Sequence, residues 1–343
     1  MDDLVKRQIT LVESKAKTSV AWGSDEPFNQ PYYTWTNGKW QPNDLTSSTT
    51  TSNPTVATKP SPQTLVLYSW NIDYMLPYPD SRMRAALHHL HSHHISHQDP
   101  SFATAIFLNE CLASDLTLLA STPWVRENFH ITDLDGSNWA SGHYGTTTLI
   151  DKRLQTERCF RVHYAKTRMQ RDALFVDVNL GDPTNKKLLR LCNVHLESLA
   201  FTPPLRPAQM ALCASYMHAP TTNAAILAGD LNAIQDFDQH LHTDNDLQDA
   251  FLSLGGRESD DSADDGGHTW GQQAATTQRE RFGTSRMDKV LFCGSVELKE
   301  FEHFGADVVV PDADEAGVLV GLGFERAWVT DHLGVRAVFG LTK

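Results

Sequence analysis

Residues 64–72 read TLVLYSWNI, a near-continuous apolar run. An apolar run of this length without polar alternation is typical of a strand that is covered on both faces. A helix-length segment, RMRAALHHLHSHHI (82–95), follows it, and a second apolar run, FATAIFLNEC (102–111), comes next. The segment SDLTLLASTPWV (114–125) again has the length of a helix. Two successive βα units therefore begin the folded part of the chain.

The pattern changes after residue 143, where short β-rich segments are separated by Asp, Gly, Pro and Asn, as in a meander of antiparallel strands. These segments are YGTTTLID (144–151), ERCFRVHYA (157–165), ALFVDVNL (173–180) and KLLRLCNVHLE (187–197). The remaining helix and strand patterns are PAQMALCASYMHA (207–219), AAILAGDLN (224–232), MDKVLF (287–292), VELKEFEHF (296–304) and VRAVFGL (335–341). Together they predict an α/β (α+β) four-layer sandwich, in which two packed, mixed and mainly antiparallel β-sheets are flanked by helices.

The composition is that of a globular protein rather than a disordered or fibrous one, since 40% of the 343 residues are hydrophobic and 21% are charged. Lys and Arg number 29 against 42 Asp and Glu, which gives a formal net charge of −13. This charge repels polyanions and excludes binding of nucleic acid through a general basic surface. A nucleic-acid substrate would have to be held by local contacts.

The five cysteines, Cys111, Cys159, Cys192, Cys213 and Cys293, are widely spaced and form no C-x-x-C motif. This pattern argues against a disulfide framework and against a zinc cage. The charged start, MDDLVKRQITLVESKAK, and the absence of an apolar run of eighteen residues argue against a signal peptide and a membrane span. We therefore expect an intracellular protein with no membrane partner.

Residues 41–63 form a Ser-, Thr- and Pro-rich tract without apolar periodicity, which is typical of a linker. We therefore predict a tail at residues 1–61 and one main folded domain at residues 62–343. The tail contains an aromatic segment, WGSDEPFNQPYYTWTNGKWQP (22–42), which either docks on the domain or binds a partner. GRESDDSADDGG (256–267) is an acidic run that predicts a surface loop with room for a regulatory or DNA-repelling role.

Polar residues suited to metal binding and proton transfer recur where the predicted strands begin or end. They are Asn71, Asp73, Glu110, His195, Glu197, Asp230, Asn232, Asp288, Asp331 and His332. Each alone is typical of a turn or a cap, but together they indicate a site along one edge of a sheet. Oxygen ligands without a Cys and His set favour Mg²⁺, or Mn²⁺, over zinc. The pattern predicts metal-assisted hydrolysis of a phosphodiester.

Six strings in this order resemble the motifs of the endonuclease/exonuclease/phosphatase superfamily, the DNase I-like metal-dependent phosphoesterases. They are SWNID (69–73), LNE (108–110), NVHLES (193–198), AGDLNA (228–233), RMDKVLF (286–292) and TDHLGV (330–335). Further strings resemble the tyrosyl-DNA phosphodiesterase 2 (TDP2) branch of that superfamily. They are WNID (70–73), HYGTTTLI (143–150), the T-x-M-x-R string at 167–171, HLES (195–198) and HTW (268–270). The resemblance implies a DNase I-like fold and makes residues 62–343 the catalytic domain.

The resemblance also implies roles for the residues that match its metal-binding motifs. Glu110 would be the principal Mg²⁺ ligand, and Asp73 and Asp331 would lie near the metal through water. Asn71 would position the metal and one phosphate oxygen.

The other matching residues would act on the attacking water and on the phosphate. Asp230 would deprotonate or orient the water, with Asn232 beside it. His332, aligned by Asp288, would bind the non-bridging oxygens as charge develops on them. The residues expected to donate to the phosphate or to line the substrate groove are His195, Arg171, Tyr144, Ser198 and Trp270.

The chain departs from this family at three positions. Asn109 stands where Gln is common, Thr330 stands where Ser is usual, and Ala233–Ile234 stand where the TDP2 branch tends to have an Arg. The first two changes are chemically mild. The third removes a basic contact to DNA.

The resemblance implies a partner, a DNA 5′ end with a tyrosyl or peptide adduct, bound by a monomer. It implies residence in the nucleus, with the cytoplasm as the alternative. A phenol with a pKa of about 10 departs more readily than a sugar hydroxyl, which favours the tyrosyl substrate weakly. Three alternatives within the superfamily remain: an abasic-site or nonspecific nuclease, an RNA-trimming enzyme and a small-molecule phosphatase. The alternative from another class is a non-catalytic scaffold that binds nucleic acid or protein.

Overall fold

The computed structural model describes residues 3–43, 62–181, 186–258 and 267–341. The α-helices are α1 (Asp3–Lys15), α2 (Pro79–His89), α3 (Ala113–Ser121), α4 (Pro123–Asn128), α5 (Arg206–Met217), α6 (Ala250–Ser253), α7 (Thr276–Phe282) and α8 (Ala313–Gly321). The first β-strands are β1 (Pro27–Asn29), β2 (Tyr32–Thr36), β3 (Lys39–Asn43), β4 (Thr64–Asn71), β5 (Ala103–Cys111), β6 (Phe129–Ile131) and β7 (Gly145–Asp151). The others are β8 (Gln155–His163), β9 (Asp172–Asn179), β10 (Leu188–His195), β11 (Ala224–Asp230), β12 (Gln248–Asp249), β13 (Asp288–Gly294), β14 (Val296–Phe304) and β15 (Gly334–Leu341).

The strands form two sheets. Sheet A has seven strands in the order β1-β8-β9-β10-β11-β13-β12, and sheet B has eight in the order β14-β15-β4-β5-β7-β6-β2-β3. Each sheet contains one parallel pair, β10 with β11 in sheet A and β4 with β5 in sheet B. The other strand pairs are antiparallel. The predicted pair of mixed, mainly antiparallel sheets is confirmed.

The central core lies between the two sheets, and β4 shows why its sequence lacks polar alternation. Leu65 and Leu67 point between the sheets, where they join Leu191 and Ile226 of sheet A in one buried cluster. The alternate residues of β4, among them Trp70, lie in a second buried cluster under α2 and α3. Because both faces of the strand are covered, every position along it is apolar or buried.

The outer face of sheet A is covered by α5. Met210, Cys213 and Met217 of this helix pack with Leu227 of β11 and Leu291 of β13 in a third buried cluster. The four layers are therefore helices, sheet B, sheet A and helix. This order confirms the predicted four-layer sandwich.

The aromatic N-terminal segment docks on the domain and supplies strands to both sheets. β1 pairs with β8 at one edge of sheet A, and β2 and β3 extend sheet B through β6. Trp40 Nε1 donates a hydrogen bond to the carbonyl oxygen of Ala120 at 3.0 Å. Residues 44–61, which make up most of the predicted linker, lie outside the described residues. The predicted boundary between residues 61 and 62 stays a prediction.

Two local predictions differ from the structure. The segment predicted as the first strand of the meander, β7, pairs with β5 and β6 in sheet B, whereas β8, β9 and β10 form the meander in sheet A. The predicted helix 82–95 is α-helical only to His89 and continues as a π-helical turn, Leu90–His94. The sequence of β7 could not show which sheet this strand joins, because the strands of both sheets are buried on both faces.

Among the helices in the described ranges, none combines the length and the apolar character that a membrane span needs.

A pair of buried asparagines joins the sheets. Asn109 of β5 donates through Nδ2 to Asn193 Oδ1 at 2.8 Å and to the Val194 carbonyl oxygen at 3.1 Å. Its Oδ1 accepts from the backbone N–H of Asp230 at 3.1 Å. Asn193 Nδ2 donates back to the carbonyl oxygen of Thr147 at 2.9 Å. Neither asparagine side chain is exposed, so these bonds form in a low-dielectric interior.

We expect Asn109→Ala to lower the free energy of unfolding by at least about 2 kcal/mol, because it leaves buried groups of Asn193 and Asp230 without partners. Urea unfolding followed by circular dichroism measures this change. Asn128→Ala is the control, since the Asn128 side chain is exposed and donates to the Trp124 carbonyl oxygen within its own helix at 2.9 Å. Equal stability of the two variants would contradict the assignment of Asn109 as the bridge between the sheets.

Candidate active site

The parallel strand pairs bring the predicted site residues to one edge of the sandwich. β4 ends at Asn71, and Asn71 lies beside Asn109, one residue before Glu110 of β5. In sheet A, the strand register places Asp230 directly between His195 of β10 and Asp288 of β13. Parallel neighbouring strands have their C-terminal ends at the same edge of a sheet. The polar residues at the ends of β4, β5, β10 and β11 therefore lie at this edge, together with Asp288 at the start of β13.

Asp230 is the central carboxylate of this edge. Its Oδ2 accepts from Asn71 Nδ2 at 3.0 Å, a contact between the two sheets. Its Oδ1 accepts from the backbone N–H of Asn232 at 2.7 Å. Gly229 precedes it with φ of 148°, and a Cβ there would lie 1.8 Å from the Val194 carbonyl oxygen, so only glycine allows β10 to approach so closely.

Two histidines flank the Asp230 carboxylate. His195 Nε2 lies 3.4 Å from Asp230 Oδ2 and 3.5 Å from Glu110 Oε1. His332 Nε2 lies 3.8 Å from the same Asp230 oxygen, while its Nδ1 hydrogen-bonds to Asp288 Oδ2 at 2.8 Å. The predicted alignment of His332 by Asp288 is thus present in the geometry.

The two imidazoles have opposite pKa shifts. Burial favours neutral His332, but Asp288, Asp331 and Asp230 outweigh it and raise the pKa of His332 well above its usual value. Burial and the Arg171 guanidinium lower the pKa of His195. Burial would raise the pKa of Asp230, yet His332 and His195 hold it below its usual range. At neutral pH the edge therefore has an imidazolium and a neutral imidazole on either side of an ionised carboxylate.

Three site residues have left-handed backbone conformations. The φ angles of Asp73, Glu110 and Asn232 are 55°, 59° and 49°. Such a conformation costs a non-glycine residue about 1–3 kcal/mol and is concentrated at functional sites. Hydrogen bonds hold these turns: the backbone N–H of Asp73 donates to Asn71 Oδ1 at 2.9 Å, and that of Tyr74 donates to Glu110 Oε2 at 3.0 Å.

Two groups of side chains could hold a metal ion, since their ligand atoms lie within 4.8 Å of one another. In the described ranges they are Glu110 with His195 and Asp230, and Asp230 with Asp288 and His332.

Asp73 and Asp331 were expected near the metal, but neither belongs to these two groups among the described residues. Burial and the neighbouring charge of Asp331 raise the pKa of Asp73 to about 6. The predicted water-mediated role of both residues stays a prediction.

The donors and acceptors at this edge suit a hard divalent cation. Several carboxylates converge here, and burial together with the neighbouring charge of Asp331 raises the pKa of Asp73, so a cation would favour its ionised form. His195 Nε2 is buried and has no hydrogen-bond partner among the described residues. Its position between Glu110 and Asp230 suits a donor to a water or phosphoryl oxygen.

The residues predicted to line the substrate groove form two separate sets. Tyr144 stacks on Tyr74, with ring centroids 4.0 Å apart and planes inclined by 5°. Arg171 lies over Tyr144 at 5.1 Å, donates to Ser198 Oγ at 3.2 Å and contacts His195 Nδ1. Tyr144 and Arg171 are only 3% and 5% exposed, so most of each side chain packs inside the protein.

Trp270 belongs to the other set, on the His332 side of the site. Its Nε1 donates to Asp331 Oδ2 at 2.7 Å, and its backbone pairs with that of His332. Contact of Trp270 and of the Tyr144 set with substrate stays a prediction.

Sequence analysis missed several residues that hold the site. Tyr74 stacks on Tyr144, Thr269 Oγ1 donates to Asp288 Oδ2 at 2.7 Å, and Thr330 Oγ1 donates to the Asn71 carbonyl oxygen at 2.8 Å. Tyr74 follows the WNID string, Thr269 lies inside HTW and Thr330 begins TDHLGV, so the motifs contained both threonines without indicating these contacts.

Glu197 was a strand-end candidate, and it has a structural role away from the carboxylates. It accepts hydrogen bonds from Thr167 Oγ1 at 2.7 Å and from the backbone N–H groups of Arg168 and Met169 at 2.9 Å each. These bonds fix the segment that places Arg171 beside His195.

The sequence profile of the Endonuclease/Exonuclease/phosphatase family matches residues 68–332 of this chain, a span that begins in β4 and ends at His332. The chain belongs to the endonuclease/exonuclease/phosphatase family. The matched span contains the first predicted motif, SWNID (69–73), and ends within the last one, TDHLGV (330–335). No curated protein matches the chain.

Solved structures share the fold of this family member. A humanised D. rerio TDP2 with 14 mutations is 19% identical with a TM-score of 0.58, over 81% of this chain and 99% of that one. D. rerio TDP2 complexed with single-strand DNA product is 18% identical with a TM-score of 0.57, over 80% and 98%. An endonuclease/exonuclease/phosphatase from Bacteroides vulgatus is 15% identical with a TM-score of 0.56, over 81% and 99%. These likenesses confirm the DNase I-like α/β sandwich.

We expect Asp288→Asn to lower the pKa of His332 towards its ordinary value, because it removes the nearest of the carboxylates that stabilise the imidazolium. An NMR titration of the His332 Cε1–H resonance in metal-free protein measures this change. Glu300→Gln is the control, since Glu300 is exposed and pairs with Arg336. An unchanged His332 pKa in Asp288→Asn would refute the proposed alignment.

Proposed function

We propose that this protein is a Mg²⁺-dependent phosphodiesterase that hydrolyses 5′-phosphotyrosyl-DNA adducts of the kind that topoisomerase damage leaves. Membership of the family makes the chain a phosphoesterase of a metal-dependent hydrolase superfamily. The tyrosyl substrate, the identity of the ion and nuclear residence are the proposed part.

One observation supports the phosphoesterase assignment above all others. The ionised Asp230 carboxylate lies between the imidazolium of His332 and the neutral imidazole of His195, at 3.8 and 3.4 Å. A group that orients water therefore lies beside two groups that donate to phosphate oxygens. This arrangement suits addition of water to a phosphate whose negative charge grows in the transition state.

The residues of the edge have separate tasks in the proposed reaction. Asp230 accepts a hydrogen bond from the attacking water and orients it, since the lowered pKa makes this carboxylate a weak base, and Asn71 holds the carboxylate in place. His332 donates through Nε2 to a non-bridging oxygen, and Asp288 keeps its ring oriented. His195 Nδ1 accepts from Arg171, so its Nε2 bears the proton and is a second donor to the phosphate.

We propose Glu110 as the main ligand of Mg²⁺, with Asp73 and Asp331 reaching the ion through water and Mn²⁺ as a substitute. The carboxylate oxygens at this edge are the ligands that such cations prefer. A bound Mg²⁺ would polarise the phosphoryl oxygen and stabilise the departing oxygen.

The tyrosyl substrate is supported by the aromatic surroundings. The partly exposed Tyr74 stacks on the buried Tyr144, and the buried Arg171 guanidinium lies over Tyr144, so Tyr74 is the ring of this set that a substrate would reach. Stacking and cation–π contact suit an aromatic leaving group or an unpaired base. A phenoxide also departs without a strong general acid. One structure of similar fold is D. rerio TDP2 with single-strand DNA product.

An activity panel tests the substrate. We expect cleavage of a 5′-phosphotyrosyl oligonucleotide in Mg²⁺, and none with a chelator, while an abasic duplex and a plain oligonucleotide stay intact. Product separation on a denaturing gel measures each arm. Cleavage of the abasic strand with the tyrosyl end untouched would refute the tyrosyl proposal and favour a repair nuclease of the same family.

Two matched variants test the assigned roles. We expect Glu110→Gln to lose at least about a hundredfold in kcat and to respond to higher Mg²⁺, since one charged ligand is lost. We expect Asp230→Asn to abolish turnover while it still binds the oligonucleotide. Glu127→Gln, an exposed change on α4, is the control with unchanged kcat. Turnover by Glu110→Gln at the wild-type rate would refute the metal assignment, and turnover by Asp230→Asn would remove Asp230 as the group that activates water.

A further inference from the structure

A polar cavity of about 190 Å³ opens beside the catalytic edge. Several residues that line it are close in sequence to the proposed catalytic residues. Ala233 follows Asn232, and both Arg286 and Lys289 lie within two residues of Asp288. One water needs only about 10–15 Å³, so the cavity has room for a larger polar group. The proposed reaction uses none of the cavity's charged side chains.

Two buried cations line this cavity. The side chains of Arg286 and Lys289 are 5% and 3% exposed. Both donate to a single carboxylate oxygen, Oε1 of Glu258, with Lys289 Nζ at 2.8 Å. Arg286 Nε is buried and has no hydrogen-bond partner among the described residues. A cation left buried without an anion is strongly destabilising, so an anion must occupy this position.

The two carboxylates that neutralise these cations differ in how firmly they are held. Asp249 is fully buried, pairs with Arg286 Nη1 at 2.8 Å and caps α6 through the backbone N–H groups of Phe251 and Leu252. Glu258 follows α6 in irregular structure, its side chain is 21% exposed, and it begins the acidic run of the sequence. Of the two, Glu258 is the carboxylate that another anion can replace.

The remaining acidic side chains of the cavity do not oppose an anion strongly. Asp238 is neutralised by Arg206, whose Nε and Nη2 donate to its two oxygens at 2.8 and 2.7 Å. Asp236 is exposed, so water and salt screen its charge. Ser285 and Thr284 add hydroxyl groups to the lining.

We propose that this cavity binds one backbone phosphate of the nucleic-acid strand on which the enzyme acts, and that Glu258 takes the place of that phosphate when no strand is bound. The inference rests on the proposed function, because a strand must cross the adjacent edge. Exchange of one anion for another keeps Lys289 and Arg286 paired throughout. Glu258 thereby lowers affinity for strands that do not reach the cavity.

Binding of a fluorescein-labelled single-stranded oligonucleotide tests this proposal. Fluorescence anisotropy is followed against NaCl concentration, in EDTA and on the Asp230→Asn background, so that no strand is cleaved. We expect Lys289→Met to weaken binding about tenfold and to reduce the slope of log K against log salt by about 0.7, the value for one phosphate contact on a single strand. We expect Glu258→Gln to tighten binding a few-fold, because a competing charge is lost.

Lys186→Met and Glu157→Gln are the matched controls, since these residues form an exposed ion pair at 2.9 Å. Both should leave affinity and salt slope unchanged. Urea unfolding of each variant separates loss of the fold from loss of the contact. Should Lys289→Met fail to fold, the Glu258→Gln result decides, and equal or weaker binding by Glu258→Gln would overturn the proposal.

A scan of single methylphosphonate substitutions along the strand identifies the phosphate. We expect one position whose neutralisation weakens binding in the parent protein and has no further effect in Lys289→Met. Competition by inorganic phosphate with no such position would show a free-phosphate site and overturn the proposal. Absence of any strand binding by the parent protein would overturn the proposed function as well. Normal cleavage of the tyrosyl oligonucleotide, with Lys289 and Glu258 variants that bind like their parent, would overturn the cavity assignment alone.

Discussion

The hydrogen bonds that the buried Asn109 and Asn193 side chains make to each other and to neighbouring strands join the two sheets beside the active site. Asn109 immediately precedes Glu110, and its side-chain oxygen accepts the backbone N–H of Asp230. The proposed metal ligand on sheet B and the water-orienting carboxylate on sheet A are therefore fixed to each other through one buried amide. The Asn109 side chain lies next to the proposed catalytic residues, and the low dielectric of the interior strengthens each of its hydrogen bonds. A further hydrogen bond between the sheets, from Asn71 Nδ2 to Asp230 Oδ2, also ends on Asp230.

Charge at this edge is arranged by burial. Carboxylates brought together inside a protein repel one another and resist ionisation, which the raised pKa of Asp73 reflects. Asp230 is the exception, because histidines on both sides keep it ionised. The edge thus has carboxylates whose ionised forms a cation would stabilise, and one carboxylate, Asp230, whose negative charge the two histidines already stabilise. This division fits the proposed roles, in which Glu110 binds the metal and Asp230 orients water.

Part of the formal net charge of −13 lies inside the protein, where buried Asp and Glu side chains outnumber buried Lys and Arg side chains in the described ranges. Seven basic side chains are buried in the described ranges, namely Arg82, Arg161, Arg171, Arg190, Arg206, Arg286 and Lys289. Most of them neutralise buried carboxylates, as Arg161 does with Asp133 and Asp172. Because these side chains are buried, they do not form a basic surface, and local contacts must hold any nucleic-acid strand. Arg171 and the pair Arg286 and Lys289 are the basic groups that flank the catalytic edge.

The sequence by itself determined the fold class, the strand that begins the core and most residues of the edge. Continuous apolar runs such as β4 specify strands buried on both faces. The polar residues that end each run therefore lie at an edge of the sheet, independently of how the rest of the chain packs. The sequence could not determine which sheet β7 joins, the docking of residues 27–43, or the stacking of Tyr74 on Tyr144. It also gave no sign that Glu258 meets Lys289, thirty-one residues further along the chain. These features depend on contacts between segments distant in sequence, and only the packed tertiary structure fixes which of many equally apolar or charged partners come together.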